Sequence, residues 1–229
     1  MTTPNQSESF MVMREDRFDA PATQRGDYLS GPNQWPALDG FQADVMAYKD
    51  ALTDLAHKLV EIVALGLGTA PDALTSHFSP ATTWLRLLYY PPTDPLADED
   101  LYGSAPHTDF GCLTLLAQDD IGGLQVMTPA GKWIDAPRIP GTFVVNVGDM
   151  LHAWSNGLLR STPHRVINRS GKARYSCPFF YDPNVNATIN PLPSTVSEDR
   201  PARFEPIVFG EFLRNELEAA YQKHKPDHA

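Results

Sequence analysis

Short apolar runs separated by turn residues occupy the chain from Thr83 to Phe180 and constrain its fold more than any other feature. Glycine and proline punctuate these runs, for example at Gly122-Gly123 and Pro140-Gly141. Many short strands at this spacing predict an antiparallel sandwich or barrel, because parallel βαβ units would need helical segments between the strands. A double-sheet jelly roll, mainly β, fits best. The predicted strands are 83–90, 105–109, 112–118, 123–127, 132–135, 142–147, 151–155, 162–168 and 174–180.

Helical patterns precede the predicted strands. Apolar residues recur at steps of three and four over residues 41–65, which predicts an amphipathic helix that ends near Gly66. Thr69 and Asp72 form a pattern like a capping box, which predicts a second, short helix over 71–78. The jelly roll is therefore expected to carry flanking α-helices.

The remaining segments complete a one-domain organisation. Residues 1–40 are polar and rich in turn formers, and we expect a mostly irregular N-terminal segment there. The domain itself is predicted to span 41–229, with long proline-rich loops at 91–97 and 182–206. Apolar spacing over 208–221 predicts a closing helix.

Composition narrows the choice of partners and compartment. The chain has 229 residues, a net charge of −10 and a pI of about 5.0, which disfavours a nucleic-acid partner because phosphate binding requires a basic face. No basic run or long apolar stretch indicates a membrane, and no cationic and apolar signal region opens the sequence. Cys112 and Cys177 are too few for a disulfide framework, so a cytoplasmic location is the simplest expectation.

His107, Asp109 and His164 are the candidate metal ligands. Residues i and i+2 of a strand point to the same side, so an extended segment from Ala105 to Phe110 would direct His107 and Asp109 into one cavity. His164 would then come from another predicted strand. Two imidazoles and one carboxylate on one face of a metal suit non-haem Fe(II), because the opposite face stays open for oxygen chemistry.

The order of several motifs over about residues 31–185 resembles the isopenicillin N synthase-like family of Fe(II)- and 2-oxoglutarate-dependent oxygenases. This resemblance implies that His107, Asp109 and His164 are the iron ligands. The motifs that carry it are Leu85–Pro92, His107–Leu116, Asp120–Val126, Pro140–Asp149, Trp154–Gly157, Ser161–Val166 and Arg174–Phe180.

The resemblance also implies a site for the co-substrate. Arg174 and Ser176 match the family's R-x-S pair, which holds the distal carboxylate of 2-oxoglutarate, and Tyr90 matches a tyrosine that contacts the same molecule. A guanidinium presents a planar fork that pairs with a carboxylate through two hydrogen bonds. Asn146 and Asp149 are expected to make hydrogen bonds at a turn and a strand end, without a catalytic role.

The resemblance implies an enzyme that couples decarboxylation of 2-oxoglutarate, in the presence of Fe(II) and dioxygen, to oxidation of a small organic substrate. The outcome would be hydroxylation, desaturation or cyclisation. One alternative is an Fe(II) oxidase of the same fold that does not consume 2-oxoglutarate. A second alternative is a catalytically silent binding module, since the family usually carries a longer region before the Gly31-Pro32 motif. The substrate and the oligomeric state stay open.

Overall fold

Two antiparallel sheets face each other in the computed structural model, which describes residues 5–98 and 100–223, the last four by their backbone alone. The strands, numbered in chain order, are β1 Glu8–Met13, β2 Thr82–Tyr90, β3 Ser104–His107, β4 Leu113–Gln118, β5 Leu124–Met127, β6 Trp133–Asp135, β7 Val144–Val147, β8 His164–Val166, β9 Arg174–Asp182, β10 Thr188–Ile189 and β11 Ile207–Val208. The major sheet has the order β1-β2-β9-β4-β7, the minor sheet has the order β3-β8-β5-β6, and β10 pairs with β11. The predicted jelly roll is confirmed.

Helices flank the sheets, as predicted. None of them, within the part of the protein that is described, is long and apolar enough to cross a membrane. They are α1 Pro21–Arg25, α2 Phe41–Gly66, α3 Asp72–Thr75, α4 Asp149–Trp154 and α5 Phe209–Lys223, with short 3-10 turns at Ser76–Phe78 and Pro193–Thr195. The predictions for α2 and the closing helix are confirmed to within two residues. The capping box at Thr69 and Asp72 is wrong, since α3 begins after Pro71 and no side chain among the described residues caps it.

One predicted strand is wrong. Residues 151–155 were expected to be extended, but residues 149–154 form α4. Met150, Leu151, Ala153 and Trp154 are all buried, whereas Asp149 and His152 are only partly buried, so most of this short segment is apolar. A short apolar run of this kind has no period that would distinguish a buried helix from a buried strand.

The N-terminal segment contributes one strand to the major sheet, and this strand was not among the predicted ones. Residues 8–13 form β1, which pairs with β2 along its whole length, from Glu8 opposite Tyr89 to Met13 opposite Trp84. This pairing joins part of the N-terminal segment to the major sheet. The strand was missed because only Val12 is buried on it, and its stability comes from pairing with β2 and not from its own pattern.

Alternation along the strands divides the apolar core into two parts. Leu85, Leu115 and Phe179 project from the outer face of the major sheet. They pack in one large core that also contains Ala56 and Val60 of α2. The intervening residues point between the two sheets. A smaller cluster there joins Leu88 and Tyr90 of β2 with Leu124 of β5 and Val166 of β8. The jelly-roll interior is thus closed by apolar side chains from both sheets.

The loop between β3 and β4 is held from two sides. The backbone N–H groups of Asp149 and Met150, at the start of α4, donate to the carbonyl oxygens of Asp109 and Gly111 at 2.8 and 2.9 Å. On the other side, the backbone N–H of Cys112 donates to Oδ1 of Asp182 at 2.7 Å. The conformation of the loop is therefore set by α4 and by the end of β9.

Gly111 has no room for a side chain, because a Cβ at this position would lie 1.7 Å from Oδ1 of the buried Asp182. We expect Gly111→Ala to lower the free energy of unfolding by about 1–3 kcal/mol, as overpacking of a core does. Urea denaturation would measure the loss. The control is Gly66→Ala at the end of α2, where a Cβ meets nothing within 4 Å. Equal stability of the two variants would contradict this packing.

Burial of Asp182 predicts a pH dependence of stability in the metal-free protein. Desolvation, helped by the charge of Asp109 and opposed by the Cys112 hydrogen bond, raises the pKa of Asp182 from 3.8 to about 7. Between these values the folded state keeps a proton that the unfolded state has released, so this group's contribution to stability falls as the pH rises through that window. One pKa unit corresponds to about 1.4 kcal/mol, so the total change is at most about 4 kcal/mol.

Asp182→Asn removes this titration while keeping an oxygen for the Cys112 N–H. We expect the difference in unfolding free energy, wild type minus Asp182→Asn, to decrease from about pH 4 to about pH 7. Urea titrations of both proteins at each pH measure this difference. The subtraction cancels the pH dependence of all titrating groups that the two proteins share. A difference that stays constant or grows with pH would contradict the raised pKa.

Candidate metal centre

His107, Asp109 and His164 converge at one end of the jelly-roll interior. Nε2 of His107 lies 3.9 Å from Oδ1 of Asp109, and Nε2 of His164 lies 3.7 Å from the same oxygen. One donor atom from each residue lies within 4.8 Å of the other two. Donors about 2.1 Å from a shared transition-metal ion are at most about 4.2 Å apart, so both measured separations are compatible with a common ion.

The two histidines come from neighbouring strands, whereas the aspartate comes from a loop. His107 ends β3 and faces His164, the first residue of β8, in the strand pairing, with ring centroids 4.3 Å apart. Strand alternation does not place Asp109, because β3 ends two residues before it. The contacts of the β3–β4 loop with α4 and Asp182 position this carboxylate instead.

Backbone carbonyls orient both imidazoles toward the site. Nδ1 of His107 lies 2.7 Å from the oxygen of Ala105, and Nδ1 of His164 lies 3.1 Å from the oxygen of Thr162. A carbonyl can only accept, so each Nδ1 carries the proton and donates it. The Nε2 lone pairs are then free to bind a metal.

The carboxylate of Asp109 is oriented in the same way. Its Oδ2 accepts hydrogen bonds from Oγ1 of Thr114 at 2.5 Å and from Nδ2 of Asn146 at 2.6 Å, so Oδ1 is the oxygen that faces the histidines. Thr114 and Asn146 are opposite each other on β4 and β7. From the sequence, Asn146 was expected only to make hydrogen bonds at a turn or strand end, and the role of Thr114 was not predicted. Their shared position on the inner face of adjacent strands was the available signal.

The electrostatics of the site favour a neutral imidazole at His107. Desolvation and the proximity of His164 lower the pKa of His107 below its ordinary 6.5, although the Asp109 carboxylate acts in the opposite direction. The side chain nevertheless has 42% of its surface exposed. The exposed edge of the ring faces the cavity between the two sheets, so the imidazole is accessible there while the surrounding protein disfavours its protonated form.

Tyr90, Arg174 and Ser176 line the same cavity as His107, Asp109 and His164. The cavity lies between the two sheets and has a volume of about 690 Å³, including its mouth. Tyr90, Arg174 and Ser176 are at most 3% exposed. The structure therefore brings together all six residues that the sequence analysis singled out.

Arg174 is a fully buried cation with an unused donor. Its Nε donates to the oxygen of Gly122 at 2.7 Å, its Nη2 donates to Oε1 of Gln118 at 3.1 Å, and its guanidinium lies 4.7 Å from the centre of the Tyr90 ring. Within residues 5–98 and 100–223, Nη1 has no hydrogen-bond partner. The structure also records no carboxylate paired with Arg174 in that part of the protein. A buried unpaired charge is costly, so an anionic ligand of this cavity would fit here.

Comparison with known proteins agrees with this geometry. Residues 81–183 match the model of the 2OG-Fe(II) oxygenase superfamily. The 2-oxoglutarate-Fe(II) type oxidoreductase hxnY of Emericella nidulans is 36% identical over 96% of this chain, which covers 65% of that protein. A 2-oxoglutarate-Fe(II) type oxidoreductase of Aspergillus fumigatus is 34% identical, over 96% of this chain and 68% of its own length. The chain thus spans about two thirds of these relatives.

Solved structures give the same result. A full-length Neurospora crassa protein in complex with alpha-KG and thymine matches with a TM-score of 0.85 and 34% identity, over 95% of this chain and 66% of that one. A putative 2OG-Fe(II) oxygenase family protein from Caulobacter crescentus matches with a TM-score of 0.82 and 32% identity, over 93% of this chain and 70% of that one. The fold, the residues of the cavity and the relatives agree, and the chain belongs to the 2OG-Fe(II) oxygenase superfamily.

Proposed function

We propose that this protein contains the active site of an Fe(II)- and 2-oxoglutarate-dependent oxygenase that oxidises a small organic molecule. One observation carries the proposal: a face of two imidazoles and a carboxylate shares a cavity with a buried guanidinium that has an unused N–H. The first feature suits Fe(II), and the second suits the far carboxylate of a dicarboxylic keto acid.

Each of the six residues has a role in this proposal. Nε2 of His107, Oδ1 of Asp109 and Nε2 of His164 hold the metal. When bound, Fe(II) and 2-oxoglutarate together supply oxidation of a C–H bond by dioxygen, with release of succinate and carbon dioxide. Arg174 and the hydroxyl of Ser176 bind the distal carboxylate, and Tyr90 packs against the Arg174 guanidinium and keeps it in place.

The walls of the cavity keep water away from this chemistry. Leu88 and Leu124 are almost fully buried between the sheets, and Leu116, Val126 and Val144 complete the apolar lining. A charge-assisted hydrogen bond is stronger in such surroundings than in water. The lining therefore strengthens the contact between Arg174 and a bound carboxylate.

The relatives support a small-molecule substrate without naming it. Structures similar to this one include the Neurospora crassa protein with thymine and JOX2 with 2OG, Fe and JA, and similar sequences include a homoarginine-6-hydroxylase of Glycine max. These ligands differ widely in charge and shape. The cytoplasmic location and the absence of a nucleic-acid partner stay predictions from the sequence.

Anaerobic titration with Fe(II) and then 2-oxoglutarate tests the proposal. We expect one Fe(II) per protein molecule and a weak visible charge-transfer band once the keto acid is added, because chelation places the keto acid on the metal. His107→Ala should abolish the band, since the metal loses one of its three ligands. The matched control is His57→Ala on α2, whose ring contacts the Tyr181 hydroxyl on the outer side of the major sheet.

The same titration separates the alternatives. Stoichiometric iron without a band, and oxygen uptake without succinate, would favour the oxidase that does not consume 2-oxoglutarate. Failure to bind iron at all would favour the silent binding module.

Arg174→Lys should weaken 2-oxoglutarate binding by about 10- to 100-fold while iron binding stays intact. A lysine keeps the charge but cannot reproduce the fork, and hydrogen bonds to charged groups contribute about 1.5–3 kcal/mol. The charge-transfer band gives the dissociation constant, and the melting temperature reports on folding. Arg138→Lys, at the exposed pair with Asp120, is the control. Unchanged affinity in Arg174→Lys would remove Arg174 from the co-substrate site.

A further inference from the structure

A second cavity lies beside the metal centre and has no role in the function proposed so far. Its volume is about 650 Å³, including the open space at its mouth, and His107 and Asp109 form part of its wall. Arg174 and Ser176 are not among its lining residues. A molecule in this cavity would therefore reach the metal ligands without occupying the co-substrate site.

The wall of this second cavity is mostly aromatic and aliphatic. Trp84 on β2 and Phe180 on β9 are opposite each other in the strand pairing, and Phe110 lies in the β3–β4 loop. Leu213 and Leu217 of α5 complete the wall. Flat, apolar surfaces of this kind favour a ring-containing molecule.

Arg86 supplies the only cationic side chain among the described residues that line the second cavity, and it also borders the first. Its Nη2 donates to Oγ of Ser9 at 3.0 Å, while its buried Nε has no partner among the described residues. No salt bridge to Arg86 is formed within residues 5–98 and 100–223. A half-buried guanidinium without a counter-ion, next to an apolar cavity, favours an anionic ligand.

The acidic residues of the cavity do not favour a cationic ligand. Oδ2 of Asp109 already accepts two hydrogen bonds, and its Oδ1 faces the histidines. Asp182 is only 4% exposed, and its Oδ1 is engaged by the Cys112 N–H. Arg86 would also repel a second positive charge. An ammonium or guanidinium substrate would therefore meet only buried carboxylates that are already engaged through one or both oxygens.

We propose that this second cavity is the substrate pocket and that Arg86 binds the carboxylate of a small aromatic acid whose ring packs against Trp84, Phe110 and Phe180. The proposal rests on the proposed function, because an aromatic or aliphatic C–H group of the acid must lie near the metal ligands to be oxidised. It adds the charge and shape of the substrate, and it assigns Arg86 as the residue that selects them.

Calorimetric titration of the anaerobic protein, loaded with Fe(II) and 2-oxoglutarate, tests the charge selection. The probes are benzoate, phenylacetate and 3-phenylpropionate, each compared with its amide, together with phenethylamine. We expect at least one acid to bind at least tenfold more tightly than its amide, and no binding of the amine. Binding should also perturb the charge-transfer band, since the pocket adjoins His107.

Variants then assign the selection to Arg86. Arg86→Gln should remove the preference for acid over amide, Arg86→Lys should keep part of it, and neither should change the 2-oxoglutarate affinity. Leu217→Trp, which fills the pocket from α5, should weaken binding of every acid at least tenfold. Arg138→Gln is the matched control, and melting temperatures exclude unfolding as a cause.

The outcomes separate the two proposals. A wild-type protein that shows no charge-transfer band contradicts the proposed function itself. A normal band combined with no acid binding, equal binding of acid and amide, or an unchanged preference in Arg86→Gln overturns the substrate assignment alone. Loss of 2-oxoglutarate affinity in Arg86→Gln would also overturn it, because Arg86 would then serve the co-substrate.

Discussion

The pairing of His107 with His164 across β3 and β8 is the contact on which the site depends. It places two imidazoles 4.3 Å apart at the end of the minor sheet, and backbone carbonyls next to each ring fix which nitrogen faces the cavity. The third candidate ligand, Asp109, is oriented to face this pair. Thr114 and Asn146 of the major sheet turn Oδ1 of Asp109 toward the histidines. The metal face is therefore assembled from both sheets, and it depends on how they pack.

Arg174 places a positive charge inside the jelly roll. It lies in the same cavity as the histidine pair, and within the described part of the protein it has no carboxylate counter-ion and one N–H group, at Nη1, without a partner. A protein tolerates such a group when a ligand completes it. The cavity thus has a cation at one position and a metal-binding face at another, which suits a ligand with a carboxylate on each end. The same argument, applied to Arg86, leads to the adjoining pocket.

Much of the fold was predictable from the sequence because its signals are local. The strands from β2 to β9 show short apolar runs between turns, and α2 shows an extended helical period, so both could be recognised without tertiary information. The failures share a cause. α4 is too short to show a helical period, and β1 is stabilised by its neighbour. In both cases packing decides the structure, and packing is invisible in a single segment.

The residues of the candidate site also differ in whether they could be predicted from the sequence. Residues that bear distinctive chemistry in a recognisable motif, such as His107 and Arg174, could be singled out from the sequence, and the structure places them in one cavity. Residues that act by position could not. Thr114 is an ordinary strand threonine, and Arg86 an ordinary strand arginine, until the sheets are assembled. Asp109 was singled out for the chemistry of its carboxylate, but its predicted local geometry was wrong, because its loop, and not strand alternation, directs it.

Two elements at the periphery of the fold contribute to the wall of the second cavity, beside β2, β9 and the loop between β3 and β4. Met11 comes from an edge strand, and Leu213 and Leu217 come from the last helix described. Neither element supplies a metal ligand. Mutations in them can reshape what enters the pocket without disturbing the ligand geometry. Proteins with the same metal centre can in this way oxidise different substrates through changes confined to the outer elements of the fold.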